Sequence, residues 1–288
     1  MTARDPLLTT LLDLDAALGD RDLMIGGGYG LYLKHLHLKE NPQIRTLFPL
    51  DRLPTARTTE DIDVILRADI VTDSESMKEI RDALDSLNFS VVGTARYTQF
   101  TRQMNPGVVK IDLLAAPLGE FAARVKKDVR RVRPKPSVRL HASKLEEAVA
   151  VDRDPLRLPI AGTLSTGHEH RAEVLIPQAF TYVLTKLCAF RDRKDDADKD
   201  LGRHHALDIY RIIGLLTKDE DAVVRRLSAE LAAHPVVVDA RQIAESHFIA
   251  KDGLGRLRIR EHALYAQSFN LDRFATELHD LLSNKSEK

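Results

Sequence analysis

The stretch Thr58-Thr59-Glu60-Asp61-Ile62-Asp63-Val64-Ile65-Leu66 decides the fold of this chain. Within it Ile62 and Val64 alternate with Asp61 and Asp63, a period of two that predicts a β-strand. Because strand side chains point alternately to two faces, both carboxylates lie on one face. Carboxylates roughly 4 Å apart repel each other by about 4 kcal/mol at an effective dielectric of about 20. The pair therefore favours a bound cation, and hard oxygen ligands suit Mg²⁺. The alternative is two solvated aspartates flanking an edge strand.

A second acidic strand is predicted at Val108-Val109-Lys110-Ile111-Asp112-Leu113-Leu114. Asp112 stands in an otherwise apolar strand and shares a face with Lys110. One interpretation is a Lys–Asp neighbour pair at a sheet edge. The other is a third carboxylate that completes a metal site with Asp61 and Asp63.

A glycine-rich turn precedes both strands. Leu23-Met24-Ile25 predicts a short strand that runs into Gly26-Gly27-Gly28-Tyr29-Gly30, after which a helix begins near Leu31. Glycines at such a turn let the backbone approach a ligand, and helix-terminal N–H groups bind anions. The spacing fits neither a P-loop nor G-x-G-x-x-G. A simple tight turn is the alternative interpretation.

Composition narrows the class of protein. The chain has 288 residues with 43 basic and 43 acidic side chains, so its overall charge does not point to nucleic acid. A single cysteine, Cys188, excludes an intrachain disulfide and predicts a cytoplasmic protein. Cys188 lies in an apolar run, which favours a small buried hydrophobic side chain over a nucleophile. No apolar run approaches membrane-spanning length, so no membrane partner is expected.

Local charge is uneven. The segment 122–144 is strongly basic and is interpreted as a helical charge run, which is either a solvated face or a patch that tracks phosphates. It contains no aromatic residues, so base stacking is not expected there. The tripeptide His168-Glu169-His170 lacks the H-E-x-x-H spacing of a helical zinc site. After Pro177 the periodicity predicts helices almost throughout, including one over 259–268. The proline-bearing stretch 39–58 is expected to be a surface loop.

The order of the acidic and glycine motifs resembles that of the polymerase-β-type nucleotidyltransferase superfamily. More narrowly, it resembles the AbiEii/AbiGii family of abortive-infection and toxin–antitoxin nucleotidyltransferases. The matching motifs, between Leu23 and Ile213, are Gly27-Gly28-Tyr29-Gly30-Leu31, Arg57-Thr58-Thr59-Glu60-Asp61-Ile62-Asp63, Lys186-Leu187-Cys188-Ala189 with Arg193, and Leu207-Asp208-Ile209-Tyr210. The last motif of the family tends to read Arg-Asp-x-x-Asp, whereas this chain has His204-His205-Ala206-Leu207-Asp208.

The resemblance implies an α/β (α+β) fold. A nucleotidyltransferase domain with a mixed sheet would span 1–172, and an all-helical domain would span 173–288. It also implies roles for individual residues. Asp61, Asp63 and Asp112 would hold two Mg²⁺ ions, or Asp112 would instead accept the proton of the attacking hydroxyl. Gly27 and Gly28 would face the phosphates of the NTP substrate.

Further roles follow from the other motifs. Lys186 and Arg193 would neutralise the departing pyrophosphate, with Asp208 orienting the cation through Lys186, Arg193 or His204. Thr59 would contact phosphate or form a turn bond.

The function implied by the resemblance is Mg²⁺-dependent transfer of an NMP to an acceptor hydroxyl. The acceptor would be RNA, with tRNA 3′ ends among the candidates, and the basic segment 122–144 would be the RNA track. The protein would be the toxin of a toxin–antitoxin or phage-defence system, with an antitoxin protein as a further partner. Alternatives are transfer to a small molecule or a protein, or a non-catalytic nucleotide- or RNA-binding relative.

Overall fold

A computed structural model of the protein describes residues 5–19, 21–54, 61–95, 97–105, 107–126 and 128–283. The chain is mixed α/β, with one mixed sheet followed by a helical C-terminal region. Two compact units are distinguished. The first comprises residues 1–34, 57–146 and 155–177, and the second comprises 35–56, 147–154 and 178–288. Two segments that precede residue 172, at 35–56 and 147–154, thus group with the helices.

The first unit contains the sheet. Its strands are β1 Leu23–Ile25, β2 Asp61–Leu66, β3 Ser90–Val91, β4 Gln99–Gln103, β5 Val108–Ala115, β6 Arg131–Val132, β7 Ala142–Lys144, β8 Leu156–Thr163 and β9 Glu169–Ile176. The strand order is β3-β4-β5-β2-β1-β9-β8, with β7 beside β5 beyond the end of β4 and β6 beside β7. The pairs β2–β5, β1–β9 and β5–β7 are parallel, and the remaining pairs are antiparallel. β2 and β5 therefore lie in the interior of the sheet.

Local sequence explains why this unit's first helix forms where it does. The side chain of Asp5 caps the helix by accepting a hydrogen bond from the N–H of Leu7, and Pro6 fits the first helical position. The helix ends at Gly19, whose φ of 64° favours glycine. Its leucines pack against the hairpin of β8 and β9, where a side chain at Gly162 would contact Leu12. The helices that begin in this unit are α1 Pro6–Leu18, α2 Gly27–Glu40, α3 Ala68–Thr72 and α4 Ser74–Ser86.

The second unit is helical. Its helices are α5 Ala179–Arg193, α6 Arg203–Gly214, α7 Lys218–Glu230, α8 Pro235–Ala244, α9 Leu254–Glu261 and α10 Leu271–Leu282. A π-helical turn at Glu245–Ile249 follows α8. The core is aromatic: Tyr210 stacks on Phe269 at a centroid distance of 4.7 Å, and Phe248 meets Phe190 edge to face at 4.8 Å. None of the described helices combines the length and the apolar character needed to cross a membrane.

Part of the stretch 39–58 is packed against the helical unit, whereas a surface loop is predicted there. The N–H of Leu47 donates to the carbonyl of Leu216 (2.9 Å), and the N–H of Phe48 donates to the carbonyl of Gly214 (3.0 Å). Phe48 is 4% exposed and lies beside Tyr210. The apolar residues between the prolines anchor this stretch to α6. Their burial is not predicted by a pattern that considers periodicity alone.

Two helix predictions are wrong. The basic segment 122–144 is not helical: a 3₁₀ turn ends at Arg124, and β6 and β7 then form a short antiparallel pair. Pro134 and Pro136 fall between these strands, and prolines interrupt a helix. The helix predicted over 259–268 is α9, which ends at Glu261. His262 terminates it because its ring nitrogen accepts a hydrogen bond from the N–H of Leu264.

Candidate functional site in the first unit

The two acidic strands are neighbours in parallel register. Asp63 on β2 lies opposite Asp112 on β5, and Asp61 lies opposite Lys110. Since residues two apart on a strand share a face, these four side chains form one polar group on one face of the sheet. β5 is also paired with β4, where Gln99 lies opposite Asp112. The interpretation of an edge strand is therefore wrong for both β2 and β5, although the Lys110–Asp112 neighbour pair exists.

The ammonium group of Lys110 lies among the carboxylates. Its Nζ atom is 3.0 Å from Oδ2 of Asp112 and 3.6 Å from Oδ2 of Asp61. Burial acts to lower the pKa of Lys110. The hydrogen bond and charge of Asp112, with the charges of Asp61 and Asp63, outweigh burial, so the pKa is raised. Lys110 is thus a charged counter-ion of all three carboxylates.

The side chain of Asp112 is less exposed than those of Asp61 and Lys110. It is 15% exposed, against 42% for Asp61 and 33% for Lys110. Burial raises the pKa of the Asp112 carboxyl, and the hydrogen bond and charge of Lys110 offset only part of that effect. Gln99, which lies opposite Asp112 on β4, also acts to lower this pKa. The Oδ1 atom of Asp112 is buried and accepts no hydrogen bond from the described residues.

The glycine turn lies directly beside the acidic pair. The N–H of Gly26 donates to the carbonyl of Asp63 at 2.8 Å. Gly27 has a φ of +60°, and a Cβ placed on it would be 1.7 Å from Oδ2 of Asp63. Only glycine leaves room for that carboxylate. Gly28 lies in the first turn of α2, which begins at Gly27, so backbone N–H groups of a helix start lie close to Asp63.

The carboxylates of this group are oxygen ligands of the kind that a hard divalent metal ion binds. As they stand, no three Asp, Glu, His or Cys side chains in the described ranges are arranged to hold a metal. The chemistry nevertheless fits a hard divalent cation, because three carboxylates surround one positive charge and a buried carboxylate oxygen of Asp112 lacks a donor. Asp61, Asp63 and Asp112 are the side chains that would hold it. Thr59, predicted to contact phosphate, lies outside the described residues.

The basic segment is organised around one aspartate. Asp128 lies 3.2 Å from an Nη2 atom of both Arg131 and Arg133, and it accepts hydrogen bonds from the backbone N–H groups of Arg130 and Arg131. The side chains of Arg130 and Lys126 are exposed. The two arginines held by Asp128 therefore support the loop, while Arg130 and Lys126 present charge to solvent.

The predicted residues of the helical unit form a separate buried group. Nζ of Lys186 on α5 is 2.7 Å from Oδ2 of Asp208 on α6, and the two side chains are 8% and 0% exposed. Nη1 of Arg211 is 3.4 Å from Oδ1 of the same aspartate. Of the three partners left open for Asp208, the structure selects Lys186. Arg193 instead contacts His205, with Nη1 2.7 Å from Nε2.

Two participants were missed by sequence reasoning. Gln99 could not be assigned because its contact with Asp112 depends on the pairing of β4 with β5. Arg211 carried a usable signal: it stands three residues after Asp208, a spacing that places both side chains on one face of a helix.

Comparisons with protein-family models, with curated proteins and with solved structures find no match for this chain. The assignment of function therefore depends on the chemistry of the residues described above.

Proposed function

We propose that the protein is a Mg²⁺-dependent nucleotidyltransferase that moves an NMP from an NTP to an acceptor hydroxyl. One observation carries the proposal: Asp63 and Asp112 face each other on parallel strands, with Asp61 on the same face and the glycine turn against Asp63. A purely structural role for this group gives no reason to keep three carboxylates together at the cost of mutual repulsion.

Each residue of the group has a distinct part in the proposal. Asp61, Asp63 and Asp112 would hold two Mg²⁺ ions. When bound there, Mg²⁺ would supply positive charge that stabilises the entering and leaving oxygens of an in-line displacement. Gly27 admits the Asp63 carboxylate, and the first turn of α2 directs backbone N–H groups toward an anion such as a phosphate. Alternatively, Asp112 would accept the proton of the attacking hydroxyl instead of ligating the second metal.

The helical unit contains a buried cation with a fixed partner. Asp208 holds Lys186 in one position, and Arg211 shares the same carboxylate. That Lys186 and Arg193 neutralise pyrophosphate stays a prediction from the resemblance.

RNA is the proposed acceptor because the loop around Asp128 presents the exposed cations of Arg130 and Lys126, which suit contacts with phosphates. The segment 122–144 contains no aromatic residues, so these contacts would not include base stacking. Action in the cytoplasm as the toxin of a toxin–antitoxin pair, with tRNA 3′ ends as a candidate target, belongs to the same proposal.

The test is incorporation of labelled nucleotide from each of the four NTPs into total RNA in the presence of Mg²⁺. We expect wild-type protein to label RNA, and Asp61→Asn and Asp63→Asn to reduce labelling to background. Asp82→Asn, a change of an exposed aspartate on α4, is the matched control and retains wild-type labelling. Equal labelling by all four proteins would refute the assignment.

The RNA acceptor is tested separately by the salt dependence of RNA binding. We expect Arg130→Gln to lower the slope of log affinity against log salt by about one, because one phosphate contact is removed. Arg67→Gln, a change of an exposed arginine on the same unit but outside the basic segment, leaves the slope unchanged. No slope in the wild type would favour transfer to a small molecule or a protein.

A second candidate is a non-catalytic nucleotide- or RNA-binding relative. The ion pairs of Lys110 with Asp112 and Asp61 favour it, because the ammonium already neutralises part of the charge that a metal would neutralise. Calorimetry separates the two candidates: nucleotide binding without release of pyrophosphate in the presence of RNA would support the non-catalytic relative.

A further inference from the structure

Lys110 is connected to the acidic group by the geometry of the sheet as well as by its side chain. It lies two residues before Asp112 on the same face of β5, and it is in register with Asp61 on β2. One ammonium therefore reaches carboxylates on two strands, at 3.0 Å and 3.6 Å. Any cation that these carboxylates bind must share this space with it.

The charges make that sharing unfavourable. The ammonium of Lys110 is a positive charge beside three carboxylates on this face of the sheet. A divalent ion placed beside the ammonium would be repelled by it, and this repulsion is several-fold stronger at the effective dielectric of a protein surface than in bulk water. The Lys110 side chain is 33% exposed and has a long flexible stem, so its ammonium can withdraw into solvent. Asp112, at 15% exposed, has no such freedom.

We infer that Lys110 is a positioning residue that acts as a built-in counter-cation: it bridges Asp61 and Asp112 in the metal-free protein and competes with divalent metal for the acidic group. This inference rests on the proposed function, since it assumes that the carboxylates are metal ligands. It goes beyond that function by giving Lys110 control of metal affinity. Metal alone binds weakly, and binding tightens when the ammonium is removed.

The test is a titration of the intact protein with Mn²⁺, in which free Mn²⁺ is measured by electron paramagnetic resonance. We expect Lys110→Met to bind Mn²⁺ roughly tenfold or more tightly than wild type, because one like charge has gone. Lys110→Arg keeps the charge and stays near the wild-type affinity. Lys78→Met is the matched control, a change of an exposed lysine on α4 of the same unit, and its affinity is unchanged.

A double variant assigns the gain to this group of residues. Lys110→Met combined with Asp63→Asn should lose the tighter binding, because a ligand is missing. Thermal unfolding gives a second readout that does not depend on affinity. In EDTA, Lys110→Met should melt below wild type by roughly 2–4 °C, since Asp61 and Asp112 then lose the ammonium that pairs with both. Addition of Mg²⁺ should raise its melting temperature more than that of wild type.

The outcomes separate the two proposals. Tighter Mn²⁺ binding by Lys110→Met, lost in the double variant, supports the role of Lys110. Equal affinity of wild type and Lys110→Met overturns that role but leaves a metal-dependent enzyme intact. Absence of Mn²⁺ binding in both proteins, with and without NTP, overturns the role of Lys110 and the proposed function together.

Discussion

Asp63 and Asp112 lie directly opposite each other on the neighbouring parallel strands β2 and β5. Paired strands lie about 4.8 Å apart, so the two carboxylates start from backbones in contact distance. The first turn of α2 comes so close to Asp63 that no side chain fits at Gly27. The backbone fixes the positions of these residues, so single substitutions can test their contacts one at a time.

Gly27 should be intolerant of any side chain. In Gly27→Ala the added Cβ would lie 1.7 Å from Oδ2 of Asp63, and the residue would keep a φ of +60°. Gly19→Ala is the control, because Gly19 has a φ of +64° but nothing within 4 Å of the added atom. We expect Gly19→Ala to lower the free energy of unfolding by about 1–3 kcal/mol through backbone strain alone.

Gly27→Ala should lower the free energy of unfolding by roughly 1–3 kcal/mol more than the control, because the carboxylate must also move. Urea denaturation measures both values. Mn²⁺ binding should fall only in Gly27→Ala. Similar losses in the two variants would mean that the carboxylate of Asp63 is free to turn away.

Asp112 should reduce the stability of the metal-free protein at neutral pH. Burial raises its pKa in the folded state above the ordinary value of 3.8, so the unfolded chain releases this proton at lower pH than the folded protein. Its contribution to the free energy of unfolding therefore falls as pH rises from the ordinary pKa through the raised one. Asp112→Asn removes this effect.

We expect Asp112→Asn to gain stability relative to wild type as pH increases above about 4, in EDTA, while losing affinity for Mn²⁺. Urea denaturation at a series of pH values measures the difference. Asp82→Asn, a change of an exposed aspartate on α4, is the control for the loss of a carboxylate. A difference between Asp112→Asn and wild type that does not change with pH would contradict the raised pKa.

Asp208 should matter more to stability than Lys186. Asp208→Asn leaves both Lys186 and Arg211 buried without their shared carboxylate, whereas Lys186→Met leaves Asp208 paired with Arg211. We expect Asp208→Asn to lower the free energy of unfolding by about 3–5 kcal/mol and Lys186→Met by less. Asp221→Asn breaks an exposed pair with Arg225 and should cost no more than about 1 kcal/mol. The reverse order for Asp208 and Lys186 would count against this account.

Cys188 should be chemically inert in the folded protein. Its side chain is 2% exposed, and burial, with a smaller contribution from the charge of Glu147, raises its pKa to about 12. The thiolate, which is the reactive form, is therefore scarce at pH 8. We expect negligible alkylation by iodoacetamide in buffer and complete alkylation in denaturant, measured by mass spectrometry. Rapid labelling of the native protein would show that the thiol is accessible.

The acidic strands could be predicted because their information is local. The alternation around Asp61 and Asp63, and again around Asp112, assigns the face of each side chain without knowledge of the sheet. The register that places Asp63 opposite Asp112 is not local, because it depends on pairing between strands far apart in the chain. Lys110 was accordingly read as a neighbour of Asp112 alone, although its ammonium also reaches Asp61.

For the basic segment 122–144, the charge pattern predicts the wrong secondary structure. Its arginines and lysines favour helix by intrinsic propensity, but Val132 and Leu140 are fully buried and β6 pairs with β7. Tertiary burial and two prolines decide the structure here. In the helical unit the apolar periodicity was strong enough to predict most helices, and the error near His262 arose from a side-chain contact that periodicity does not encode.

The hydrogen bonds of Leu47 and Phe48 to the end of α6 have a consequence for the independence of the helical unit. A Cβ atom on Gly214 would clash with Leu53, so the glycine at the end of α6 leaves room for the stretch that contains Leu47, Phe48 and Leu53. A fragment starting at residue 178 would expose that apolar surface and remove the N–H donors to the carbonyls of Gly214 and Leu216. The helical unit therefore needs residues 35–56 as well as the C-terminal helices to complete its core.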